Sequence, residues 1–211
     1  MRKVLTSKWT KVVVFVISSI PFILLCAKAL QGNLGINPVE TLQHTTGDWT
    51  LNFLVFTLAV TPLRKILKLP ELIRFRRMLG LFAFFYVVLH FLTYLGPDQN
   101  FNFSGMWDDV AKRKFVTVGF SALLLLIPLA ATSTTGMIRR LGGKRWQALH
   151  RLIYVCAILG VIHYYWLVKS DVRKPLFYAF CVASLLLWRV WDAYSRGKAS
   201  APSSVRPAAA D

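Results

Sequence analysis

The chain has 211 residues, a formal net charge of +17, 55% hydrophobic residues and a mean hydropathy of +0.50. Soluble domains hold about 45–50% apolar residues; here the excess is gathered into long blocks, which excludes an ordinary soluble class and leaves room for one integral membrane domain. The basic residues fall between those blocks, so they read as topology signals and contacts for anionic headgroups, not as a nucleic-acid surface.

Six stretches reach the length of about 17–25 residues that a bilayer demands of a helix. They run over 10–30, 49–67, 78–96, 114–134, 147–169 and 175–193, and predict an all-α integral membrane protein, a six-helix transmembrane bundle. Residues 1–9 precede the bundle, 10–193 form it, and 194–211 (small, polar and proline-containing) read as a disordered tail. The first stretch, with a basic n-region (Arg2, Lys3, Lys8 and Lys11) and Ala27-Lys28-Ala29 near its end, resembles a signal peptide. A lysine inside the cleavage tripeptide is poor, so an uncleaved span is expected. Thr45 or Thr46 is the expected cap before the second span. Pro21, Pro62 and Pro128 fall within spans, where neighbouring helices can satisfy the carbonyls they free. Cys26, Cys156 and Cys181 lie in apolar runs without CxxC spacing and read as small buried hydrophobes.

Loop charges orient the bundle. Counted with the charges at the span ends, residues 1–11, 64–77, 135–146 and 189–211 hold 18 Lys and Arg; the alternate segments 31–48, 97–114 and 169–174 hold 6. Both termini are therefore expected in the cytoplasm.

Ionisable side chains inside spans are costly and default to function. His90 lies deep in GLFAFFYVVLHFLTYLG, and His150 and His163 bracket HRLIYVCAILGVIH. His90 is thirteen residues beyond Arg77 and His163 sixteen beyond Gln147, on helices of like direction, so both sit about 20 Å from the cytoplasmic end. A b-type haem needs one nitrogen ligand on each face, and this pair offers them, with Phe84, Phe85, Phe91, Tyr164 and Tyr165 available as walls. In a straight helix His150 is turned about 140° from His163. Its expected opposite number on the third span is Arg76 or Arg77, neither a usual haem ligand. One complete bis-histidine site and one half site follow, with His150 open to a second haem, a propionate, a quinone or a flavin. Arg74, Arg76, Arg77, Arg139, Arg140, Lys144 and Arg145 share the cytoplasmic end; most such residues meet lipid phosphates, and a subset can hold propionates or a flavin phosphate. His44, alone in the first outer loop, reads as a surface residue.

GNLGINPVETLQHTTG, VTPLRK, RFRRMLGL before the His90 helix, STTGMIRRLGGKRWQALHRLIY and VIHYYWLVK together resemble the MsrQ (YedZ) family over residues 10 to 193. These are haem-binding inner-membrane subunits of the bacterial periplasmic methionine sulfoxide reductase system. A more distant resemblance is to the membrane domains of ferric reductases and NADPH oxidases, where two helices carry two bis-histidine haems. The MsrQ resemblance implies electron transport from the respiratory quinone pool, through haem b, to a periplasmic molybdopterin-containing reductase that repairs oxidised methionine. It carries the haem histidines onto His90, His150 and His163 and associates FMN with the chain without assigning its residues. The arginines where a fourth histidine would stand leave one or two haems open.

About eighteen residues follow the last span, against the 100 or so of a nucleotide-binding domain, and no GxGxxG or P-loop occurs. The chain is expected to be an electron-transfer subunit, with no substrate chemistry of its own. The alternatives are a haem reductase acting on ferric iron or another small oxidant, and a histidine-relay transporter or proton channel. The last is weakened by the lack of inverted repeats and intramembrane carboxylates.

Overall fold

The structure is a computed structural model and describes residues 2–199, whose regular elements are all helical. In chain order these are α1 (Arg2–Thr6), α2 (Lys8–Leu30), α3 (Pro38–Ile66), α4 (Ile73–Thr93), α5 (Phe103–Lys112), α6 (Lys114–Ala131), α7 (Thr135–Leu141), α8 (Gly143–Leu149), α9 (Leu152–Leu167) and α10 (Arg173–Ala199). A 3-10 turn, Pro70–Leu72, leads into α4, and a wide π turn, Tyr94–Asp98, follows it. Five segments are long and apolar enough to cross a membrane: Lys8–Leu30, Pro70–Asp98, Lys114–Ala131, Gly143–Leu167 and Arg173–Arg196.

The difference from six is α3. It starts at Pro38, well before residue 49, because Asn37 accepts a hydrogen bond from Glu40 N at 3.2 Å and Pro38 occupies the first turn. Thr45 and Thr46 are therefore not caps. Thr46 is buried inside the helix, its hydroxyl turned back to the Leu42 carbonyl at 2.7 Å. The added turns bring in Glu40, His44 and Asp48, and the helix ends on Arg64 and Lys65, so its composition is not that of a lipid-facing span. Its burial shows why it need not be. Leu51, Phe53, Leu54, Leu58 and Val60 are all buried against neighbouring helices, while Phe56, Leu63 and Ile66 stay exposed.

Two helix pairs make the bundle, α3 along α4 and α6 along α9, with α10 laid across α9 and α3. Their shared core holds Phe53, Leu58, Ala83, Tyr86, Cys156 and Ala157. The outermost helix, α2, buries only Ser18 and Leu25. Tyr86 of α4 ties it on: its hydroxyl accepts from Phe22 N at 3.1 Å and donates to the Ser18 carbonyl at 3.0 Å. The side chain thus enters the α2 ladder beside Pro21, a recognised cause of helix bending.

Two boundaries differ from the expected ones. The fifth span is interrupted at His150 and Arg151, between α8 and α9, so His150 and His163 do not share one straight helix. The last helix runs to Ala199, past the residue 193 boundary; the rest of the expected tail lies outside the described residues.

Candidate functional site

His90 on α4 and His163 on α9 face each other, ring centres 6.0 Å apart and planes at 82°. Each ring is held from behind by the partner helix of its pair. Nδ1 of His90 lies 3.0 Å from the Gln43 carbonyl of α3, and Nδ1 of His163 lies 2.7 Å from the Phe115 carbonyl of α6. A carbonyl only accepts, so both Nδ1 atoms carry the proton, and the neutral rings keep their lone pairs on Nε2. Neither Nε2 has a hydrogen-bond partner among the described residues. This is the carbonyl-to-imidazole arrangement that fixes tautomer and aim in metal-ligating histidines.

The same device appears twice. One turn after each carbonyl stands a glycine, Gly47 after Gln43 and Gly119 after Phe115. A Cβ on Gly47 would sit 3.3 Å from the His90 ring, and a Cβ on Gly119 only 2.6 Å from His163 Nδ1. The missing side chains let the rings lie flat on the helix backbone and reach the carbonyls. Neither glycine is conspicuous in sequence, since nothing in one helix announces a ring from another.

The histidines open into a cavity of about 290 Å³, walled by Leu54, Val87, Phe91, Leu123 and Tyr164 and covered by Met106 and Val110 of α5. Two imidazoles that share one metal at about 2 Å each have ring centres about 6 Å apart, as these do. Among the described residues no group of three or more His, Cys, Asp or Glu could hold a metal ion. The donor set, two opposed imidazoles and apolar walls, fits a metal that brings its own equatorial ligands, as haem does. His44, expected at the surface, lies at this cavity's mouth, its Nε2 3.7 Å from Glu40.

A second cavity, about 450 Å³, lies at the opposite ends of α4 and α9. Arg64, Arg76, Arg77 and Arg151 line it with His150, and among the described residues no carboxylate does. Arg76 and Arg77 are there as expected. Arg74 is not: it donates to the Leu5 carbonyl of α1 at 2.7 Å. Arg139, Arg140, Lys144 and Arg145 are absent from the lining, while Arg64 and Arg151, which the sequence reading passed over, take their places. His150 is held differently from the other pair. Its Nε2 lies 3.0 Å from the Thr132 hydroxyl, which itself donates to the Pro128 carbonyl at 2.6 Å. Thr132 must therefore accept from Nε2–H, leaving Nδ1 as the free nitrogen, and the ring stacks on Trp146 at 4.0 Å. The cavity thus suits an anion with a planar or apolar body. Leu126, 2% exposed, lines both cavities.

Residues 46–161 match the family described as ferric reductase like transmembrane component. The chain is also 53% identical over 199 residues to the "Protein-methionine-sulfoxide reductase heme-binding subunit MsrQ" of Herminiimonas arsenicoxydans, covering 92% of this chain and 91% of that one. It is 49% identical to proteins of the same name from Rhodospirillum rubrum, over 92% of this chain and 93% of the other, and Polaromonas naphthalenivorans, over 89% and 87%. No solved structure matches it.

Proposed function

The chain belongs to the MsrQ family, and from that premise we propose that it is a six-span b-type cytochrome of the bacterial inner membrane, with both termini cytoplasmic. In this reading α3 is the sixth span, sheltered by its neighbours. It carries electrons from the respiratory quinone pool or a flavin to a periplasmic molybdopterin-containing reductase that repairs protein methionine sulfoxide. The observation that supports it best is the pair of free Nε2 lone pairs facing across 6.0 Å between ring centres.

Haem bound there supplies one-electron storage between donor and acceptor. Everything else falls to the chain. His90 and His163 would hold the haem iron, and the Gln43 and Phe115 carbonyls keep both rings in the ligating tautomer. Leu54, Val87 and Leu123 exclude water and so keep the site's potential in the protein's control. The arginine cavity receives the donor: Arg64, Arg76, Arg77 and Arg151 hold the phosphate of FMN or the carboxylates of a second haem, beside His150. α5 and the turn before it present the face on which the acceptor docks.

The match to ferric reductase like components favours a second reading, direct reduction of ferric iron. The test is a dithionite-reduced-minus-oxidised spectrum of the detergent-purified protein with pyridine haemochrome quantitation. A b-type spectrum lost in His90→Ala and His163→Ala supports the site; a protein still colourless after haem supplementation sinks it. Reduced protein that passes electrons to a ferric chelate but not to the periplasmic reductase selects the second reading.

A further inference from the structure

Arg189 lies inside α10, within the last apolar segment, although its charge alone reads as part of a cytoplasmic tail. It is half-buried and forms no ion pair among the described residues. One terminal nitrogen donates to the Leu58 carbonyl at 2.7 Å and the other to the Tyr154 hydroxyl at 3.0 Å. Leu58 is four residues before Pro62, which has no N–H to give it, so the guanidinium fills a vacancy that the proline creates. Arg189 is thereby fixed to α3 and reaches across to α9, its charge 5.0 Å from the Tyr154 ring centre.

The consequence falls on Tyr154. A hydroxyl that accepts from an arginine must turn its own proton elsewhere, and no acceptor for that proton exists among the described residues. Tyr154 lines the arginine cavity, and Arg189 does not. Nearby guanidinium charge also makes a phenol a stronger donor.

We propose that Tyr154 donates its hydroxyl proton in a hydrogen bond to an acceptor oxygen of the anionic ring ligand in the arginine cavity, and that Arg189 is the positioning residue that aims it. This rests on the reading of that cavity as the seat of an anionic redox ring.

The probe is FMN, titrated into the haem-loaded, detergent-purified protein and followed by quenching of flavin fluorescence. Tyr154→Phe removes only the hydroxyl oxygen and weakens FMN binding about tenfold, the effect of one hydrogen bond to a charged or strongly polar acceptor. Arg189→Gln weakens it as much, Arg189→Lys less, and the double variant Tyr154→Phe/Arg189→Gln no more than either alone, because both act through one hydroxyl. Haem content stays at the wild-type level in Tyr154→Phe, so the loss is not one of folding. Wild-type affinity in Tyr154→Phe, or additive losses in the double variant, overturns the inference while leaving the cavity's occupant in place. Wild-type protein that binds no FMN, or binds it unchanged in Arg76→Gln/Arg77→Gln, overturns the reading of the cavity and this inference with it.

Discussion

The two cavities are built on the same two helices, α4 and α9, yet they are chemically opposite. At one end a histidine from each helix faces the other across apolar walls. At the other, one histidine faces four arginines and no acid. The imidazoles differ by what their neighbours offer. A backbone carbonyl beside a glycine takes the Nδ1 proton and releases Nε2, while the Thr132 hydroxyl takes the Nε2 proton and releases Nδ1. The chemistry of a histidine here is decided by the helix behind it.

The comparison breaks first at the ligands. His90→Ala and His163→Ala are each expected to abolish the b-type absorbance, whereas His150→Ala keeps at least the signal of the bis-histidine site, read by haemochrome assay. Equal losses from all three would erase the distinction between the ends. Next come the glycines. Gly119→Ala places a Cβ where the His163 ring lies and should lose most of the bound haem, with destabilisation of about 1–3 kcal/mol from overpacking. Gly47→Ala, whose Cβ would stand 3.3 Å from the His90 ring and ask it to give by only a few tenths of an ångström, should lose much less; thermal unfolding and haem content rank the two, and the reverse order would refute the cradle. At the other end, Arg76→Gln/Arg77→Gln should weaken FMN binding and flatten its salt dependence while keeping at least the reduced-minus-oxidised signal of the bis-histidine site. The smallest effect belongs to Thr132→Val. It removes the partner of His150 Nε2 at a cost of about 1 kcal/mol, and imidazole nitrogen NMR should show a changed tautomer at His150 alone.

Much of this could be read in the sequence. Hydropathy located the apolar helices, and counting residues from Arg77 and Gln147 placed His90 and His163 at one level, where they meet. That worked because rise per residue is nearly constant along a helix. What failed had other physical sources. The start of α3 was set by the Asn37–Pro38 cap, a local signal that outweighed the loss of hydropathy before residue 49. His150 ends α8 and stacks on Trp146 one turn before it, while the break that follows takes it out of line with His163, which a count along one straight helix did not allow for. Gly47, Gly119 and the carbonyls of Gln43 and Phe115 are backbone features, invisible to any search for chemical side chains. Arg64 and Arg189, weighed only as topology charges, turned out to serve the interior, since long side chains carry their charge away from their own position in the chain.

Leu126 lines both cavities and is itself buried. Two hollows joined end to end would make a file of water through the bundle. Protons would run down it, each moved by about 2.3 kcal/mol for every 100 mV of membrane potential. An apolar constriction stops such a file by staying dry. Electrons need no water to cross it. The bundle can therefore pass one kind of charge while insulating the membrane against another, and the buried leucine that touches both hollows is part of that insulation.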